Sequence, residues 1–152
     1  LGLIPDAGIF CRSVPRYLRE QVVQRGVTPG QLQAALDLWR SKVPLAEARD
    51  RLRAGGASER QFVLLERFWG SHGQSEPRAL LEIMPHVIHF HGKYFSMVDG
   101  DEPDVRYAEV VAALIEGGYR GWISSEYEGP PANSFELVRD HQQMIRRYAR
   151  QA

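Results

Sequence analysis

Three short apolar runs constrain this 152-residue chain more than any other feature, because no two of them are adjacent. They are Leu1–Asp6, residues 86–91 and Gly121–Glu126. Each has the length of a strand, and chain of helical periodicity separates each from the next. A hairpin joins antiparallel strands through a few residues. Strands held apart by helices run parallel and are joined by right-handed crossovers. The order is therefore strand, helices, strand, helix, strand, helix. Three parallel strands alone leave two open edges, so a barrel segment short of its other strands explains the pattern better than an open sheet. The chain also starts inside an apolar run, with no Met and no polar lead-in, and reads as the back part of a longer protein.

The helical chain is punctuated by capping chemistry. Ser13 precedes Pro15, and Gly26 closes the first helix. Thr28 with Gln31 makes a capping box, followed by an apolar face of Leu32, Ala35, Leu36 and Trp39. Pro44 opens a helix that Gly55 and Gly56 stop, and Ser58 with Gln61 repeats the capping box before Phe62, Leu65 and Phe68. Gly70–Gln74 reads as a loop, and Pro77 opens a last short helix. A further helix runs from about Val105 to Glu116, and Asn133 with Glu136 predicts a capped final helix to about Tyr148. The first crossover takes roughly 80 residues, against the ~10–12 that such a connection needs. Residues of about 13–75 are accordingly read as a helical insertion within one partial domain covering 1–152. No repeat shorter than the strand–helix unit is expected.

Chemistry-bearing side chains gather where the three runs end: Asp6, then His89 and His91, then Glu126 and Glu128. In parallel α/β folds the carboxyl ends of strands meet at one face, where sites form. Residues two apart on a strand share a face, so His89, His91 and Lys93 point together. Carboxylates with imidazole suit Mn²⁺, Mg²⁺, Co²⁺ or Zn²⁺. Each residue also has an ordinary role. Asp6 could cap a turn, the histidines could be hydrogen-bonded core groups, Lys93 could be a strand-end cation, and the glutamates could be solvated or paired with Arg. His72 and His141 read as surface residues, His86 as structural, and Cys11 as a buried apolar residue without an activating motif.

Lys and Arg number 19 and Asp and Glu number 19, so the formal net charge is zero, without the basic surplus of a nucleic-acid binder. One cysteine admits no intrachain disulfide, which fits a cytoplasmic protein. No apolar run approaches a membrane-spanning length.

The residue types resemble one family. "LGLIPDAG", "HVIHFHGKY" and "GGYRGWISSEYEG" resemble the C-terminal part of the xylose-isomerase-like TIM barrels, the sugar isomerase and epimerase superfamily. The likeness covers both ends of the chain but not residues 12–82. It implies that the runs are the sixth, seventh and eighth strands of a (β/α)8 barrel, incomplete on its own. It further implies that Asp6, His91 and Glu126 hold a divalent metal ion, with Glu126 doubling as the acid/base. A fourth ligand, a Glu, is expected upstream of Leu1. His89, Lys93 and Glu128 then become substrate contacts. The implied activity is a metal-dependent isomerase or epimerase moving a proton next to a carbonyl of a carbohydrate, active only with the missing strands, which a homo-oligomer or partner chain would supply. Two positions depart from the family: Ile9 stands where a His is frequent, and Tyr94 where an Asp follows the strand Lys. The helical insertion and the aromatic Tyr94 suit a larger, flatter substrate, as in the metal-binding subunits of C-glycoside deglycosidases within the same superfamily. The same residues also admit a non-catalytic partner subunit or, against the neutral charge, an endonuclease IV-like DNA repair enzyme.

Overall fold

The computed structural model describes residues 2–152, so Leu1, the start of the first apolar run, lies outside the described residues. The chain forms two compact units, one of the segment ending at Arg12 with Gln74–Ala152, the other of Ser13–Gly73. No helix among the described residues is long and apolar enough to cross a membrane.

The first unit holds one two-stranded parallel sheet, β1 (Phe90–Tyr94) beside β2 (Ile123–Tyr127), in the register Phe90 opposite Ile123 and Tyr94 opposite Tyr127. This corrects the expectation of three C-terminal strands of a (β/α)8 barrel: the unit is mixed α/β with two strands. The run predicted over Leu1–Asp6 contributes only isolated parallel bridges, Leu3 to Val87 and Asp6 to His91. The physical reasons are local. Pro5 has no N–H to give a ladder, although its carbonyl accepts from His91 N at 2.9 Å. The offset between the two bridges also changes by one residue, so the pairing slips as a bulge does. Asp6 then caps a 3-10 turn, Ala7–Ile9. The second strand begins at Phe90 rather than at residue 86, because Pro85 sits in a 3-10 turn, Met84–His86.

The second unit carries helices α1 (Arg16–Gln24), α2 (Pro29–Arg40), α3 (Leu45–Ala54), α4 (Glu59–Leu65) and α5 (Arg67–Ser71). Both predicted capping boxes form, at Thr28 with Gln31 and at Ser58 with Gln61. They also reveal a 30-residue repeat among the helices that the sequence reading does not include. Gly26, Thr28, Gln31 and Trp39 recur 30 residues later as Gly56, Ser58, Gln61 and Trp69. Gln31 Nε2 donates to Gly56 O (3.3 Å) while Gln61 Nε2 donates to Gly26 O (2.7 Å). Trp39 Nε1 donates to His72 O (3.2 Å) while Trp69 Nε1 donates to Val43 O (2.8 Å). Gln31 and Gln61 themselves meet at 3.3 Å. The two Gln bonds join equivalent positions and the two Trp acceptors are one residue out of step, as an approximate two-fold relation between two helical hairpins gives. His72 is buried here, against the expectation of a surface position.

In the first unit, α6 (Leu80–Ile83) precedes β1, α7 (Tyr107–Glu116) crosses from β1 to β2, and α8 (Ser134–Ala149) follows β2. Asn133 makes no side-chain cap bond, so the predicted capping of α8 does not form. The helix is held instead by burying Met144 and Ile145, while α7 buries Val110, Val111 and Leu114. Phe90, Gly92 and Tyr94 form the buried row of β1. At Gly92 a Cβ would lie 2.6 Å from Ser124 O and 3.0 Å from His141 Cε1. Neither the neighbouring strand nor a stacked ring can yield cheaply. Gly92→Ala is therefore expected to cost about 1–3 kcal/mol in urea denaturation. An unchanged midpoint would show that β1 and β2 tolerate separation.

Candidate metal and proton-transfer site

Alternation along the strands sets the site. With Phe90, Gly92 and Tyr94 on the helix-packed face, His89, His91 and Lys93 share the other face, where Ser124 and Glu126 stand opposite His91 and Lys93. Asp6 reaches the same place through its bridge to His91. One carboxylate oxygen of Asp6 accepts from Gly8 N at 2.7 Å, so the turn-capping role is real. The other oxygen remains available and lies 3.0 Å from Lys93 Nζ.

Asp6, His91 and Glu126 come together, each offering one ligand atom within 4.8 Å of the others'. His91 Nδ1 is 3.2 Å from Glu126 Oε2. That oxygen is buried and receives no hydrogen bond, so the contact with the ring is close without being directed as one. A buried carboxylate oxygen facing a ring nitrogen without a donor between them is costly unless a cation or proton enters. Lys93 stands among three carboxylates: Asp6, Glu128 at 3.1 Å and Glu126 at 4.0 Å. One ammonium against three carboxylates leaves two negative charges, which a divalent cation would neutralise. Burial works against the charge on Lys93, but its hydrogen bonds to Asp6 and Glu128 outweigh this and hold its pKa above the usual lysine value. The donor set and its charge thus fit a divalent ion with oxygen and imidazole ligands.

His89 lies edge-on to His91, with ring centres 5.4 Å apart, and its Nε2 meets Ser124 Oγ at 3.1 Å. Ser124 is not among the residues the sequence singles out, and strand alternation back from Glu126 is the signal that finds it.

Beneath the site, His141 is fully buried rather than on the surface. It stacks on Tyr94 (4.1 Å, 8°) and stands edge-on to Tyr107 (4.9 Å). Its Nδ1 is 2.8 Å from Ser125 Oγ, which also accepts from Gln142 Nε2 at 2.7 Å. Burial lowers the His141 pKa to about 4, so the ring is neutral near pH 7. Tyr107 Oη donates to Lys93 O at 2.7 Å, tying this aromatic cluster to the strand that carries Lys93. Cys11 is buried, and burial followed by the nearby carboxylates raises its pKa to about 12, so it is inert as a nucleophile.

No protein-family model matches the chain. Among curated proteins it is similar to a C-glycoside deglycosidase alpha subunit of Arthrobacter globiformis, 42% identical over 180 residues, covering 100% of this chain and 46% of that protein. A second protein of the same description from that organism is 29% identical over 164 residues, covering 100% of this chain and 47% of the relative. A 3'-dehydrocarminate deglycosidase alpha subunit of a Microbacterium species is 29% identical over 165 residues, covering 97% of this chain and 47% of the relative. The chain spans about half the length of the curated relatives it matches.

Proposed function

We propose that this chain carries the proton-transfer face of an enzyme subunit that cleaves glycosides, of the C-glycoside deglycosidase kind, rather than that of a simple sugar isomerase. The observation that carries the reading is the meeting of Asp6, His91 and Glu126 around Lys93, in a chain matched over its whole length by deglycosidase alpha subunits. The name 3'-dehydrocarminate points to a substrate with a carbonyl on the sugar. A carbonyl at the 3' carbon acidifies the hydrogen on the 2' carbon. Loss of that proton sets up departure of the aglycone from the 1' carbon, with the electron pair of the broken bond leaving on the aglycone.

Asp6, His91 and Glu126 would hold a divalent ion, which when bound supplies Lewis acidity toward the carbonyl and neighbouring hydroxyl oxygens. Glu126 would face the ion with its buried oxygen beside His91 and take the proton with its other oxygen, 4.0 Å from Lys93 Nζ. Lys93 compensates the carboxylates and presents its remaining N–H to a substrate oxygen. His89, set against Ser124, is in position to hold a sugar hydroxyl. The half-exposed state of His91, Glu126 and Glu128 leaves this face accessible to a ligand.

The reading is tested first by Mn²⁺ titration of the chain, followed by calorimetry. One saturable site is expected, weakened on the order of a hundredfold in His91→Ala, at or beyond the upper end of what losing even an outer support of a metal ligand costs. Absent binding, or equal binding by the variant, would remove the metal from the reading.

A further inference from the structure

We infer that Tyr107 is a positioning residue of the site: its phenol closes the edge of β1 at Lys93 and thereby holds the Lys93 ammonium among Asp6, Glu126 and Glu128. The inference rests on the reading of that site as the seat of proton transfer. The phase of the ladder shows why the edge needs closing. Phe90 N donates to Trp122 O (3.3 Å) and Glu128 N donates to Tyr94 O (3.0 Å), so the peptide groups of 90, 92 and 94 face β2. Those of 91 and 93 face the other edge, where His91 N donates to Pro5 O (2.9 Å). Two residues on, the partner segment has left the ladder. Asp6 caps the 3-10 turn Ala7–Ile9, and no bridge among the described residues reaches Lys93 on that side. Tyr107 Oη takes the place of the missing strand by donating to Lys93 O at 2.7 Å.

The phenol is itself held from several directions. Tyr107 opens α7 and is 1% exposed. The chain just before it is fastened to the segment that follows Asp6: Arg12 N donates to Asp104 O (2.8 Å) and Arg106 N donates to Phe10 O (3.1 Å). Its ring stands edge-on to His141, which stacks on Tyr94 of β1. The side chain thus joins the segment bearing Asp6 to the strand bearing Lys93, the two partners of the 3.0 Å ion pair. Packing alone does not require the hydroxyl, since a phenylalanine ring fills the same space and a buried hydroxyl costs free energy unless it is bonded. Burial, then the charges of Glu102 and Asp6, hold its pKa well above the usual tyrosine value, so Oη remains a donor. A lysine side chain is long, and a small tilt of its backbone is magnified at the ammonium. Misplacing a group in a site by about 1 Å costs up to about a hundredfold in rate.

The test uses Tyr107→Phe, which keeps the ring against His141 and removes only the donor. In the isolated chain without metal, the ammonium proton–nitrogen signal of Lys93 is assigned by its absence in Lys93→Met. It is expected to move or broaden in Tyr107→Phe and to stay in place in Tyr148→Phe, whose phenol donates to Asp101 instead. An unmoved signal in Tyr107→Phe overturns the inference, whatever the site does. In the assembled enzyme, kcat for deuterium uptake into a 3'-keto C-glycoside should fall about ten- to a hundredfold in Tyr107→Phe, with KM within about twofold. Added to Lys93→Met, the same substitution should cost nothing further, because its effect runs through Lys93. Equal losses in both backgrounds mean that the phenol acts by another route and overturn the inference. So does an unchanged rate in Tyr107→Phe where Lys93→Met is impaired. A moved signal with full exchange in both single variants supports the positioning of Lys93 and removes Lys93 from the functional reading instead.

Discussion

Glu126→Gln is expected to lower proton exchange at the carbon next to the substrate carbonyl by about 10²–10⁴-fold, the usual contribution of a positioned general base. The substitution keeps the size of the side chain and removes both its charge and its basicity. The carboxylate lies 3.2 Å from His91 Nδ1 and 4.0 Å from Lys93 Nζ, so the amide would also unbalance the cation site. The measurement is deuterium uptake from solvent into a 3'-keto C-glycoside by the assembled enzyme, with bound metal quantified in parallel. Glu128→Gln is the control. Glu128 pairs with Lys93 alone in this cluster, and its loss should keep exchange within roughly tenfold of the parent, well short of the general-base effect. Wild-type exchange in Glu126→Gln would assign the base elsewhere.

What the sequence reveals of this molecule follows the range of the physics involved. Capping boxes are legible because a span of four residues contains all their atoms, and Thr28 with Gln31 and Ser58 with Gln61 form as read. The same pattern at Asn133 and Glu136 fails because burial of the opposite face of α8 holds that helix without it. The gathering of Asp6, His91 and Glu126 is legible from strand phase and family likeness. The extent of the strands is not. A ladder needs a partner of matching register, and Pro5 and the one-residue slip between Leu3 and Asp6 show themselves only once both sides are placed. His141 reads as a surface residue although a signal to the contrary is present. It falls three and four residues before Met144 and Ile145, on the apolar stripe of α8. The 30-residue repeat is hidden because its equivalent positions differ in size and polarity, as Leu36 and Glu66 do, while its glycines, caps and tryptophans keep their spacing.

The loop after β1 holds the group with the largest expected effect on stability. Glu102 is only 2% exposed, and one of its oxygens has no partner. The other accepts from Asp104 N (3.0 Å) and Val105 N (3.3 Å). Burial raises its pKa from 4.5 to about 8; the backbone donors pull the other way, and the charge of Asp104 adds to the rise. The folded protein thus holds a proton that the unfolded chain releases above pH 4.5. Stability is therefore lost as pH rises from 4.5 to about 8, and the loss is complete above that. At about 1.4 kcal/mol per unit, the penalty is on the order of 3–5 kcal/mol. His141 acts in the opposite sense, with a pKa lowered from 6.5 to about 4, so stability is lost as pH falls through that window. The two slopes oppose one another between pH 4.5 and 6.5, where a plateau is expected, and Glu102 acts alone from pH 6.5 to 8. Glu102→Gln keeps an acceptor for the 104 and 105 amides and cannot ionise. Urea denaturation from about pH 5 to 8.5 should show the parent falling by about 2 kcal/mol from pH 6.5 to 8 while the variant stays flat there, and the variant alone gaining stability from pH 5 to 6.5. Parallel curves for the two proteins would mean that Glu102 is already ionised in the fold, its charge balanced by a group other than the backbone amides of 104 and 105.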